Sequence, residues 1–147
     1  MFNETGSGGP DHRAVLDTLA RARPERLKAF AETLLEGMGE ISVVANRTGL
    51  VMVPMRDTVE NVDFHLGEVL VSEAQIADAA GHVGYGMVTG RDLERAMAMA
   101  VVDLRMAALG EEPATAQFLS EERAHLAAAD DARMRQVEAT RVEMETF

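Results

Sequence analysis

Apolar residues first recur at helical spacing at Val15, Leu16 and Leu19, behind Asp11 as an N-cap, and predict a short amphipathic helix. Pro24 suits the first turn of a second helix, whose stripe is Leu27, Phe30, Ala31, Leu34 and Leu35 and whose end is marked by Gly37 and Gly39. Together they predict an N-terminal helical hairpin. The period then switches to that of strands. Ile41, Val43, Val44 and Ala45 lead into Asn46-Arg47-Thr48-Gly49, a turn signature, and Leu50 to Val53 follow, which predicts a β-hairpin. Pro54 cannot donate to a ladder and places the end of that second strand on an edge or at a bulge. Val62, Phe64 and Leu66 alternate, and Gly67 marks a bulge or tight bend before Val69, Leu70 and Val71. A further strand runs from His82 to Thr89. In it Val83, Tyr85 and Met87 share one face, while Gly84, Gly86 and Val88 leave the other thin enough for a backbone or a ligand to approach.

The most regular helix extends from Asp92 to about Leu109, with Leu93, Ala96, Met97, Ala100, Val101, Leu104 and Ala108 as its stripe. Met99, Val102 and Met106 lie off that stripe. The apolar surface is therefore wider than one sheet requires, and either the helical hairpin or a partner must cover the excess. From about Thr115 to Thr140 the composition is helical but the stripe is poor (Phe118, Leu119, Leu126, Met134, Val137), as expected of an arm lying on a partner. Helices, then strands, then helices, without βαβ alternation, predict an α+β fold: an N-terminal helical hairpin, a mainly antiparallel sheet of about four to five strands, and two C-terminal helices. Residues 1–10 are Gly/Ser-rich and are expected to form a flexible tail. Residues 11–147 are expected to form a single domain, with 111–147 as its partner-binding arm.

Composition narrows the function. The chain has 147 residues with 25 acids against 14 bases, a net charge of −11, and Lys28 is its only lysine. A phosphate-backbone binder has the opposite balance, so nucleic acid is not an expected partner. No run of apolar residues is long enough to span a membrane, and the first residues lack the basic and apolar regions of a secretion signal, so a cytoplasmic protein is expected. Without cysteine there is no disulfide, no thiolate metal site and no cysteine nucleophile.

The chemistry that remains is sparse. Gly84, Gly86 and Gly90 invite a nucleotide-binding reading, but the third glycine of a dinucleotide fingerprint would fall at Thr89. Tight sheet packing and a turn into the following helix account for these glycines equally. Gly90 and Arg91, with Arg56, are candidate phosphate contacts, because guanidinium forks and helix N-termini both bind phosphate oxygens. In so acidic a chain each arginine also has a salt-bridge reading. His12, His65, His82 and His125 are too far apart in sequence to suggest a metal site, and no serine lies in a hydrolase motif. Paired acids such as Glu121-Glu122 and Asp130-Asp131 read as a solvated helix face. Residues alone therefore describe a module without a complete active site, with no catalytic residue assigned. Its candidate interface residues are Met99, Val102 and Met106, together with Val142, Met144 and Phe147 near the C-terminal end.

Residues 48 to 103 carry a series of motifs in fixed order: TGLVMV (48–53), Arg56, FHLGEVLV (64–71), GHVGYGMVTGRD (81–92), then Ala96, Ala100 and Asp103. With TRVEMETF at 140–147, this series resembles the PhnG family, the G subunit of the bacterial phosphonate carbon-phosphorus lyase system. The resemblance implies a cytoplasmic core complex of G, H, I and J subunits with two-fold symmetry. It also implies a part, with the H, I and L proteins, in forming α-D-ribose 1-methylphosphonate 5-triphosphate from ATP and methylphosphonate, the phosphonate displacing adenine. Nucleosidase chemistry is then expected of the I subunit and radical chemistry of the J subunit. ATP with magnesium and an iron-sulfur cluster are accordingly expected elsewhere in the complex, with no cofactor on this chain. The G subunit is expected mainly to assemble and position the I subunit. Two other roles stay open: supplying phosphate contacts to a composite site, or serving as an acidic adaptor unrelated to phosphonates.

Overall fold

A computed structural model describes residues 11–142. Its elements are α1 (His12–Arg21), α2 (Pro24–Leu35), β1 (Ile41–Arg56), β2 (Asp63–Asp78), β3 (Val83–Thr89), α3 (Leu93–Leu109) and α4 (Pro113–Ala139). The α+β class, two N-terminal helices and two C-terminal helices are as expected, but α1 and α2 pack on other elements rather than on each other as a hairpin, and the sheet has three strands in the order β1-β2-β3. The difference lies at Asn46-Arg47-Thr48-Gly49, where β1 runs straight through the expected turn. Each of these residues pairs with β2, from Asn46 opposite Ala74 to Gly49 opposite Val71. Fifteen antiparallel pairs along β1 and β2 outweigh a local turn preference. The turn lies instead at residues 57–62, where the Asp57 carboxylate accepts from the Val59 and Glu60 amides and Asn61 takes φ 58°. β2 also runs past Val71 to Asp78, where Ala74 and Ile76 are buried between Glu73, Gln75 and Ala77.

Two irregularities bend this ribbon. One leaves Val44 without a partner, and the other falls between Val53 and Pro54, where Leu66 is skipped opposite. The second adjoins the Pro54 and Gly67 positions that were expected to break the ladder.

β3 is thin for a reason internal to the chain. A Cβ on Gly84 would lie 2.2 Å from the Ala100 carbonyl oxygen, and one on Gly86 would lie 2.1 Å from that of Ala96, so the α3 backbone rests directly on the strand. Asp103 locks this contact. Buried in α3, it accepts from the Tyr85 amide at 2.9 Å and hydrogen-bonds His12 Nε2 at 2.7 Å, joining β3, α3 and α1. Behind α3 lie α1 and α2, and the Arg95 guanidinium donates to the Ala20 and Ala22 carbonyls at the end of α1. The core thus runs from the sheet through α3 to α1, α2 and the start of α4, with Leu19, Leu27, Ile76, Leu104 and Leu119 fully enclosed.

Candidate functional site

Beyond Thr89 opposite Val71, β3 ends and the β1–β2 ribbon continues alone. The free part, residues 49–71, is an arm about 25 Å long at ordinary strand rise. On the face turned away from α3, Gly49, Val51, Val53 and Met55 of β1 stand beside Val71, Val69, Gly67 and Phe64 of β2. The other face is mixed, with Leu50, Met52 and Leu70 among Glu68, His65 and the Arg56–Asp63 ion pair. Val51, Met55 and Phe64 are exposed on the first face and Leu50 and Met52 on the second, with Leu66 exposed at the bulge, so both faces of the arm present apolar side chains to solvent, as interaction surfaces do. Sequence reading missed this because the continuous apolar runs 50–53 and 69–71 and the alternation at Val62, Phe64 and Leu66 are patterns that buried and half-buried strands share. The signal that was available was the Asp57-to-Asn61 turn, which makes 41–56 and 63–78 a single long hairpin.

At the foot of the arm, on the same face, Glu73 accepts from Arg47 Nε at 2.9 Å and from the Tyr85 hydroxyl at 3.0 Å. These hydrogen bonds, the arginine's first, hold the Glu73 carboxyl below the usual carboxylate range. Burial, and then the bond to Glu73, raise the Tyr85 phenol above its own. The trio is a fixed polar floor. Beside it Arg47, Gly49, Val51, Val71, Glu73 and Met87 help to line a cleft of about 360 Å³.

The second projecting element is α4. Glu122, fully buried, accepts from the Arg23 amide, from the Arg23 guanidinium and from Arg26 Nη1, while Phe118 stacks on Phe30 with ring centres 4.5 Å apart. Burial raises the Glu122 pKa, but the bonds from Arg23 and the charges of Arg23 and Arg26 outweigh it, and the carboxyl sits below its ordinary range. This corrects the expectation that Glu121-Glu122 form a solvated face: Glu122 anchors the helix. Past Leu126, α4 is exposed on every side over its last thirteen residues, about 20 Å. From Ala127 to Ala139 α4 thus projects from the core, whereas its first half packs on α1 and α2.

The structure separates the candidate phosphate contacts. Arg56 pairs with Asp63 near the arm's tip, with Nε at 2.7 Å, about 20 Å along β2 from Gly90. Gly90 takes φ 89°, its amide donates to Leu70 O and its carbonyl accepts from Ser72 Oγ, so it serves as a turn. Arg91 is exposed and has no acidic partner among the described residues. The α3 N-terminus beside it is already occupied: the Asp92 carboxylate accepts from the Arg95 amide, and Lys28 Nζ lies 3.4 Å from Asp92 and 3.7 Å from Glu94. An incoming anion would meet two carboxylates there.

The candidate interface residues divide as well. Met99 (3% exposed) and Val102 (0%) are buried and not available to a partner, in a helix on which α1 and α2 both pack. Met106 is half-buried against the core, and Val142 is exposed. Met144 and Phe147 lie outside the described residues. Among the described residues no three His, Asp or Glu side chains converge as a metal site, and no helix is long and apolar enough to cross a membrane.

Comparison with known proteins adds the family. The chain is 30% identical over 142 residues, 96% of its length and 90% of the relative's, to the α-D-ribose 1-methylphosphonate 5-triphosphate synthase subunit PhnG of Rhizobium meliloti (strain 1021). The family model described as "Phosphonate metabolism protein PhnG" matches residues 11–147, which takes in both arms and the whole core, and the chain belongs to that family.

Proposed function

We propose that this chain is an accessory subunit of the phosphonate carbon-phosphorus lyase machinery of the cytoplasm. It is needed with its H, I and L partners to form α-D-ribose 1-methylphosphonate 5-triphosphate from ATP and methylphosphonate. Its part is to assemble and position the I subunit within a core that also holds H and J. ATP with magnesium and the iron-sulfur cluster belong to other subunits. The observation that carries this reading is the arm at 49–71: an apolar ribbon held out from a fully formed core has no use in a protein that acts alone. Family membership supports the rest, since the relative's own name makes it a synthase subunit.

The test is co-purification of the tagged chain with its H, I and J companions, followed by phosphonate-dependent adenine release from ATP, with and without this chain. The reading expects both assembly and adenine release to depend on it. Full assembly and turnover in its absence would sink the proposal and return the chain to an acidic adaptor of unknown target.

A further inference from the structure

The arm carries two glycines, Gly49 and Gly67, which no described residue crowds; a bulge adjoins Gly67, whereas Gly49 lies in regular ladder. Neither has positive φ, and a Cβ built on either meets nothing within 4 Å. Gly84 and Gly86 differ, because the α3 backbone excludes a side chain at both. Gly49 and Gly67 lie on one face, opposite Val71 and Val53 respectively, the face turned away from α3. A strand glycine costs stability; the adjoining bulge accounts in part for Gly67, whereas Gly49, in regular ladder, fits the close approach of another backbone. The cleft at the foot of this face, which Gly49 lines without a side chain of its own, is of a size to seat one apolar anchor.

Charge selects the occupant. The docking face carries no charged residue between Gly49 and Val71, but the arm as a whole has Asp57, Glu60, Asp63 and Glu68 against Arg56. A second copy would bring the same acidic excess, on a chain of net charge −11, and would set like charges around the contact. We propose that this face docks a different subunit, whose extended backbone crosses Gly49 and Gly67, whose apolar side chain enters the cleft, and whose basic residues surround the acidic tip. The proposal rests on the reading of the chain as a complex subunit.

The test uses the Gly49→Leu and Gly67→Leu double variant, which places side chains where the chain leaves open space. Its melting temperature should match or exceed that of wild type. Expressed with the H, I and J companions, it should capture roughly ten-fold less of them than wild type does. Glu60→Lys at the tip should also weaken capture and reduce its salt dependence. Equal capture by wild type and the double variant would overturn the docking face and leave the subunit reading standing, whereas no capture by wild type would overturn both. A wild-type chain that sediments alone as a dimer, and as a monomer once Gly49→Leu is introduced, would also overturn the proposal, because the occupant would be a second copy.

Discussion

Replacing Gly86 by alanine adds one methyl group at the tightest point of the fold. That carbon would lie 2.1 Å from the Ala96 carbonyl oxygen and 2.9 Å from the Ala100 amide nitrogen, where ordinary contact begins near 3.4 Å. Both neighbours are helix backbone, so no side-chain rotation relieves the clash and α3 must lift from the sheet. Lifting it loosens Ala96, Ala100 and Leu104 against Ile76 and Val88, all buried. Overpacking of this kind costs about 1–3 kcal/mol, and a backbone clash belongs at the upper end. Alanine returns about 0.5–1 kcal/mol through the unfolded state and strand preference. The net expectation is a loss of about 2–3 kcal/mol, a melting temperature lower by about 5–10 °C for a chain of this size. Urea and thermal unfolding of Gly86→Ala beside Gly67→Ala make the measurement. At Gly67 the added carbon meets nothing within 4 Å, so that variant should be neutral or slightly stabilised. A Gly86→Ala protein melting within about 2 °C of wild type would refute the direct seating of α3 on β3.

Glu122→Gln should destabilise the protein by about 2 kcal/mol at pH 7, because two arginines converge on that buried carboxylate. Its folded pKa is lowered, so the native state binds fewer protons than the unfolded chain and the stabilisation is lost as pH falls below the ordinary glutamate range near 4.5. The stability gap between wild type and Glu122→Gln should therefore narrow between about pH 5 and 3, and a gap that widened in acid would contradict the ion-pair account. Ending the chain after Ala129 should leave the urea midpoint unchanged, since the removed part of α4 through Val142 is exposed, yet should weaken capture of companion subunits. Arg91→Ala should leave both assembly and adenine release within about two-fold of wild type, because Asp92 already caps the adjoining helix. A large loss of turnover with intact assembly would instead make Arg91 part of a composite site.

Local signals were sufficient wherever the physics is local. Asp11 caps α1, Pro24 opens α2, and the α3 boundaries fall where the stripe, Asp92 and Gly110 place them, because capping and helical periodicity involve residues a few positions apart. The thin face of β3 was legible too, though not whether a ligand or a backbone would fill it. Family membership came from the order of motifs along the chain. Tertiary structure decided what depends on distant partners. Asn46 to Gly49 has turn chemistry but becomes strand through pairing with β2. Met99 and Val102, off the helical stripe, are buried in a helix covered by α1 and α2, some seventy residues away in sequence. Glu122, on a helix with a poor apolar stripe, becomes a buried anchor only because Arg23 and Arg26 meet it across the fold. The arm is the clearest case. Alternation along a strand states which residues share a face but not whether another layer lies over it, and only the early end of β3, at Thr89 opposite Val71, leaves the ribbon beyond it uncovered.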